Sequence, residues 1–368
     1  MFLALREMGR SVLKFGLLAA ATGLLVFLLM FLGTLSGTLL GSYIGAIENA
    51  EADLLTFSVD SEANVQASRL TEQDVQAVSA VPGVEDAAGM TETTLTVEVA
   101  GERQDLSLWG TEPGRPGDVP VTEGRPAGAG EVVIDRSAKS LGFEIGTTIT
   151  LVETGRTLEV VGFTGSRQYS VLPTGYTPAE EWNAIFFATY PGVPVAPVNI
   201  VATTVAPSQD TSEVASAITA ANPNLDPLTP ADAGASAPGV SSIETSFNLI
   251  VGITFGIVIV VIGFFFTILA VQKQRSFALL RAVGASRRLL ATAITVQVFI
   301  TITIGTTIAI GVLALAAATS SDAFPLAVDT RSILITALAV IVLSVLSGAF
   351  AIRRALSVDP VAAAQGTA

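Results

Sequence analysis

The sequence predicts a membrane α-helical protein: four transmembrane helices in a 1+3 arrangement, with an extracytoplasmic α+β domain inserted between helices 1 and 2. Three observations predict it. Half of the 368 residues are hydrophobic and only 14% are charged, whereas roughly a quarter are charged in an ordinary soluble protein. The charges leave four long gaps, between Lys14 and Glu48, Glu244 and Lys273, Arg288 and Asp322, and Arg331 and Arg353. Each gap holds the ~20 apolar residues that carry a helix across a bilayer. From Glu48 to Glu244, in contrast, the apolar pattern turns to short, mostly alternating runs, the period of half-buried strands.

The elements follow in order. Residues 1–15 form a cytoplasmic amphipathic segment, apolar at Leu3, Leu5, Met8 and Val12 with Arg6, Arg10 and Lys14 between, suited to lying along the inner leaflet. Residues 16–47 are transmembrane helix 1, retained rather than cleaved because its apolar run is about twice a signal-peptide core. Residues 48–243 are the α+β domain. Its β-rich runs are Leu55 to Val59, Thr93 to Val99, Asp105 to Trp109, Glu131 to Ile134, Thr147 to Val152, Thr157 to Phe163, Ala184 to Ala188 and Asn199 to Thr204. One helix starts near Thr71, with Asp74 placed for a capping box, and stops at Val81-Pro82-Gly83; another spans Asp210 to Ala221. The Pro-, Ala- and Gly-rich stretch from Asn222 to Gly239 reads as a loop returning to the membrane. Residues 244–272 are transmembrane helix 2, 273–288 a cytoplasmic segment, 289–319 helix 3, 331–352 helix 4 and 353–368 a cytoplasmic tail.

Basic residues set the orientation, since short cytoplasmic segments carry the excess of Lys and Arg. Arg6, Arg10, Lys14, Lys273, Arg275, Arg281, Arg287, Arg288, Arg353 and Arg354 are more than half of the 19 basic residues, and only Glu7 and Asp359 of the acids accompany them. Both termini are therefore expected in the cytoplasm of a multi-pass protein of the cytoplasmic membrane. The inserted domain is then strongly acidic, which repels nucleic acid and anionic headgroups.

Composition excludes much chemistry. Without His or Cys there is no catalytic triad, thiolate nucleophile, Cys/His zinc site or disulfide. None of Lys14, Lys139 and Lys273 follows a glycine, so the G-K-[ST] ending of a phosphate-binding loop is absent, and any ATP is hydrolysed by another chain. No serine occupies a G-x-S-x-G elbow. Acid pairs such as Glu85-Asp86 and Glu180-Glu181 read as solvated surface. No enzyme activity is expected.

Three motifs carry a family resemblance. Leu279-Leu280-Arg281-Ala282-Val283-Gly284-Ala285-Ser286 lies in the basic segment; Arg353-Arg354-Ala355-Leu356-Ser357-Val358-Asp359-Pro360 ends the chain; Val81-Pro82-Gly83-Val84, Glu123-Gly124-Arg125 and Val160-Val161-Gly162-Phe163 punctuate the domain. With the 1+3 topology they resemble the MacB and FtsX family, the permeases of type VII ATP-binding cassette exporters, across essentially the whole chain. The family usually has a Glu ahead of its Leu-Arg-Ala stretch. Here Val271-Gln272-Lys273-Gln274-Arg275-Ser276-Phe277 stands there, which looks like the HrtB subgroup, the permeases of haem efflux. The resemblance implies a homodimer with two cytoplasmic ATP-binding cassette ATPase subunits, which hold the ATP and magnesium, and no cofactor of its own. Arg275, Phe277, Leu279, Leu280, Arg281 and Gly284 would couple it to those ATPases, apolar Leu279 and Leu280 docking beside the arginines.

The candidate substrate site lies toward the outer leaflet. Gly33, Gly37, Gly41 and Gly45 make overlapping G-x-x-x-G units, and Glu244, Asn248, Gly252 and Gly256 repeat every fourth residue. Such smooth stripes admit a close helix, and in a homodimer they would leave a lateral slot. An ionisable group at the membrane boundary, such as Glu244, is costly unless paired, hydrated or used. If the substrate is haem, as the HrtB resemblance implies, its iron needs carboxylate, phenolate or thioether ligands. Glu244 is the first candidate, then Glu48, Met30, Tyr43 and Tyr169, with Tyr176 in the same domain and Arg331 for a propionate. Export of a peptide, lipid or antibiotic is the alternative, as is an FtsX-like transmitter that activates a cell-wall hydrolase.

Overall fold

A computed structural model describes residues 6, 8–272, 279, 283, 284, 286–320, 326 and 328–356. The chain divides into two compact units, one of residues 1–36, 246–320 and 326–368, the other of residues 37–245 and 321–325. Among the described residues, four helices are long and apolar enough to cross a membrane: α1 (Val12–Glu48), and, after the insert, the three long helices over Val240–Gln272, Arg287–Ala318 and Thr330–Leu356.

The inserted domain has two lobes on one continuous strand network. In the first, β1 (Leu54–Ser58), α2 (Glu72–Ser79), the start of β2 (Val84–Val99), β9 (Ile200–Val205), α4 (Thr211–Ala221) and β10 (Leu225–Leu228) form the strand order β10-β1-β9-β2. All three pairings are antiparallel. This is the split β-α-β, ferredoxin-like pattern. Val75 and Val78 of α2 and Val214 and Ile218 of α4 pack with Leu54, Ala87 and Val201 on the helical face, while Phe57, Met90 and Ala202 point to the other.

β2 continues into the second lobe, pairing with β3 (Glu102–Thr111). β3 then pairs with β8 (Thr174–Pro178), β8 with β5 (Glu131–Asp135), β5 with β7 (Thr157–Thr164), β7 with β6 (Thr148–Leu151), and β6 returns to β2. The pairing closes on itself as a six-stranded barrel, which leaves those strands few free edges. Two-residue β4 (Glu123–Gly124) adds to β7. The barrel holds Leu95, Val97, Leu106, Val132, Phe143, Ile149 and Val160.

Local chemistry explains the elements. Thr71 and Asp74 form the expected capping box on α2, Thr71 N–H donating to Asp74 Oδ2 at 2.8 Å. Asp210 caps α4 through the Ser212 N–H. Two expectations fail. Residues Ala184 to Ala188, read as a strand, belong to α3 (Ala179–Thr189). There Trp182, Ile185 and Phe186, at helical spacing, are the buried positions, and Glu180 and Glu181 stand in the first turn. The stretch from Asn222 to Gly239, read as a loop, contains β10 and α5 (Pro230–Ser236). Thr229 caps α5 by accepting from the Asp232 N–H, and Pro230 occupies its first turn.

In the helical unit, Val26, Leu29 and Met30 of α1 pack with Val258, Ile262 and Phe266 of α6 (Val240–Gln272), Ile294, Val298 and Ile302 of α7 (Arg287–Ala318) and Val340 of α8 (Thr330–Leu356). α1 and α7 cross closely. A Cβ on Gly23 would lie 2.8 Å from the Gly305 carbonyl oxygen, and one on Gly305 2.6 Å from Thr22 Oγ1. Small residues at the crossing permit this approach. α6 instead exposes Leu249, Ile253, Ile257, Val260 and Phe264.

Candidate functional site: the helix end and its collar

α1 runs unbroken from Val12 to Glu48, and its last residues, from 37 onward, belong to the inserted domain. A loop of that domain, residues 166–171, grips it as a collar. Ser170 and Val171 donate their N–H groups to the carbonyls of Tyr43 and Ser42, each at 2.9 Å, and Ala46 donates to the Gln168 carbonyl at 3.0 Å. The Asn49 amide donates to the Ser166 carbonyl at 2.8 Å. Gly45 is what lets the loop approach, since a Cβ there would lie 2.9 Å from Ser166 O.

The collar is held from the other side as well. Buried Asp135, at the end of β5, accepts from the Arg167 N–H at 2.8 Å and the Ser137 N–H at 3.0 Å. Buried Tyr176 donates its hydroxyl to the Arg167 carbonyl at 2.7 Å. The Arg167 guanidinium reaches Glu51 at 2.7 Å. Ser166, Ser170 and Val171 have φ of 60°, 52° and 60°. That left-handed region is unfavourable, most of all for a β-branched side chain such as Val171. The strain persists because contacts on both sides fix the loop.

Tyr43, Glu48 and Glu244 gather near the same helix end. Tyr43 donates its hydroxyl to the Pro238 carbonyl at 3.0 Å, and Ile44 packs with Ala237 and Val240 at the start of α6. The Glu48 side chain lies over Gly234 of α5, where a Cβ would meet Glu48 Cγ at 2.7 Å. Glu48 and Glu244 are both exposed residues.

The other expected site residues are dispersed. Met30 is buried in the helical core. Tyr169 is buried in the domain, edge-on to Trp109 with ring centroids 5.3 Å apart, and burial pushes its phenol well above the ordinary value. Arg331 is exposed in the first turn of α8, its N–H bonded to Asp329. Among the described residues, no three acidic side chains group as a metal site. The glycine stripe divides. Gly33, Gly37 and Gly41, with Gly252 and Gly256 on α6, have no neighbour within 4 Å of an added Cβ, whereas Gly45 is packed by the collar. Asn248 is exposed. Of the coupling residues, Leu279 is exposed and Gly284 has φ +99°; Arg275, Phe277, Leu280 and Arg281 lie outside the described residues.

Two features escaped the sequence reading. The collar has no local signature beyond Gly165-Ser166, because its partners on α1 are more than a hundred residues away. The Gly23–Gly305 crossing had a weak signal in Thr22-Gly23 and Thr301 with Gly305.

Residues 16–221 match the family model for the MacB-like periplasmic core domain, and residues 248–360 match that for the FtsX-like permease C-terminal region. Among solved structures, the periplasmic region of MacB from Actinobacillus actinomycetemcomitans aligns over 50% of this chain and 91% of its own, at 13% identity and a TM-score of 0.38. The extracellular domain of the noncanonic ABC-type transporter YknZ from Gram-positive bacteria aligns over 48% and 99%, at 17% identity and a TM-score of 0.34. By its two family-model matches, which reach from residue 16 to residue 360, the chain belongs to the MacB/FtsX-like permeases, the membrane subunits of ATP-binding cassette transporters.

Proposed function

We propose that this permease is half of an ATP-driven exporter that takes a hydrophobic substrate from the outer leaflet of the cytoplasmic membrane. In this reading two copies stand side by side with both termini inside and the inserted domain outside. Two separate ATPase subunits dock on residues 273–288, and their closure presses the helices together and expels the cargo. The observation that carries it is the collar. In this reading, the end of α1, grafted by three main-chain hydrogen bonds into a strained loop of the domain, would carry a displacement of the helix to it. The glycines of α1 and α6 that have no neighbour in a single chain leave room for a second copy.

Haem is the cargo we assign, with one Glu244 from each copy as ligand to the ferric iron and Glu48 beside it. Exposure of both carboxylates at the helix end supports this pair over Met30 and Tyr169, which are buried in separate cores. A carboxylate also suits hard ferric iron.

Titration of the purified protein with ferric haem, followed at the porphyrin absorption band beside a Glu244→Ala variant, tests the cargo. Saturable binding lost in the variant supports it; no binding above empty micelles refutes haem and leaves the exporter reading standing. Coupling is tested separately, since Arg281→Glu should abolish nucleotide-dependent efflux, and undiminished export would sink it.

A further inference from the structure

The junction of the two lobes contains a site that the exporter reading does not use. β2 passes from one lobe to the other and changes partners on one edge. β9 leaves it at Met90, whose carbonyl accepts from Asn199 N–H at 3.0 Å, and β6 joins it from Val97. Asn199 Oδ1 covers the Glu92 N–H at 2.8 Å, and Glu153 covers that of Thr96. Thr94 stands between them. Opposite it, Ser107 gives its N–H to Pro173 at 2.9 Å, so the pair is of the non-hydrogen-bonded kind. The N–H and C=O of Thr94 therefore face away from β3, into the gap, with no main-chain partner.

The gap opens into a cavity of about 530 Å³, within the range of small-ligand pockets. One wall is apolar, from Phe186, Tyr190, Val193 and Val195. The other carries Arg69, which is exposed and makes no ion pair among the described residues, and Glu92. Glu92 is 5% exposed. Its Oε1 accepts from Ser107 Oγ at 2.8 Å and Thr94 Oγ1 at 3.3 Å, whereas its Oε2 is buried without a partner. A buried, unpartnered carboxylate oxygen is costly. Burial accordingly pushes the carboxyl up, against the pull of its Ser107 and Thr94 hydrogen bonds and of the nearby Gln66 amide, which itself donates to Thr94 Oγ1 at 3.2 Å. A cationic donor at Oε2 would relieve that cost.

We propose that this slot binds a short peptide with free ends, in an extended conformation. Its backbone adds to β2 at Thr94, its ammonium bonds Glu92 Oε2, its carboxylate meets Arg69, and an apolar side chain lies on Phe186 and Tyr190. The main-chain donor and acceptor of Thr94 select a peptide over a simple amine, because only an amide backbone satisfies both. The site is independent of the haem assignment.

The test uses the full-length protein in detergent and trivaline as the probe. Trp109 and Trp182 are the chain's only two tryptophans, and both report on the slot. Trp109 Nε1 donates to Ser107 Oγ at 3.0 Å, the hydroxyl that bonds Glu92, and Trp182 stacks on Phe186. Trivaline should shift tryptophan emission saturably. Glu92→Gln and Arg69→Glu should each weaken the apparent Kd about tenfold or more, the effect of losing one charge-assisted hydrogen bond. N-acetyl trivaline amide, which lacks both charged ends, should bind more weakly than either variant binds trivaline. Arg69 is a surface residue, so its variant reports even if Glu92→Gln were to misfold. The proposal is overturned if trivaline gives no saturable shift at millimolar concentration, if both variants bind it as wild type does, or if hexylamine binds as tightly as trivaline.

Discussion

Gly45→Ala tests whether the collar clamps α1. The new methyl would sit 2.9 Å from the carbonyl oxygen of Ser166 and 3.2 Å from that of Gln168. Both are main-chain atoms of a loop already at positive φ and tied down through Asp135 and Tyr176, so neither retreats cheaply. Overpacking of this kind costs about 1–3 kcal/mol, and Ala in place of Gly returns up to ~1 kcal/mol of helix propensity. With that gain realised in full, the net loss is about 0–2 kcal/mol, whereas a helix glycine with open space around it would gain up to ~1 kcal/mol. In a domain of this size a loss lowers Tm by roughly 2–4 °C per kcal/mol. Thermal unfolding followed by tryptophan emission reads it directly, since Trp109 and Trp182 both lie in the inserted domain. Gly41→Ala, one turn earlier, is the control, because its added methyl meets nothing within 4 Å. Equal melting temperatures for the Gly45→Ala and Gly41→Ala proteins would refute the clamp.

Three further outcomes are expected. The chain has no Cys, so a single Gly37→Cys change should give a disulfide-linked dimer on mild oxidation if the open glycine stripe faces a second copy; only monomer on a non-reducing gel would remove that face from the interface. Asp135→Ala leaves the Arg167 and Ser137 N–H groups without their acceptors and should cost about 2–4 kcal/mol, with Asp135→Asn, which keeps one acceptor oxygen, losing less; equal unfolding midpoints in denaturant would contradict this. Arg125 grips both oxygens of Glu131, and this pair, helped by the Gly128 N–H, holds the carboxyl down to about 2. Because the folded value lies below the unfolded one, ~4.3, its stabilisation is full above about pH 4.5 and fades as pH falls toward 2. The Tm difference between wild type and Arg125→Ala should therefore shrink on acidification across that window; a constant difference would argue against the pair.

Much of the architecture was legible because it rests on local or compositional physics. A bilayer span must be apolar for about 20 residues whatever its neighbours do, so four charge gaps marked four helices. The capping box at Thr71 and Asp74 and the Asp210 cap act within three residues, and they marked the starts of α2 and α4. α3 and α5 were missed for opposite reasons. Ala184 to Ala188 carries β-favouring residue types at Ile185, Phe186 and Phe187, but Trp182, Ile185 and Phe186 recur at the helical period that decides the element. The Asn222 to Gly239 stretch is rich in helix breakers, yet Thr229-Pro230 starts a helix there.

By itself, the sequence determined that the chain has apolar spans, an inserted domain, no residues for metal-thiolate or triad chemistry, and two spaced small-residue stripes, since each follows from residue types and intervals along the chain. Only the tertiary structure decided that Gly45 serves the collar while Gly33, Gly37 and Gly41 stay open, and that Met30 and Tyr169 are core residues while Glu48 and Glu244 share a helix end. It alone placed Thr94 at a break in strand pairing beside an unpartnered Glu92 oxygen. These are meetings of residues up to about two hundred positions apart, and their distances depend on how strands pair and loops close, which no local pattern encodes.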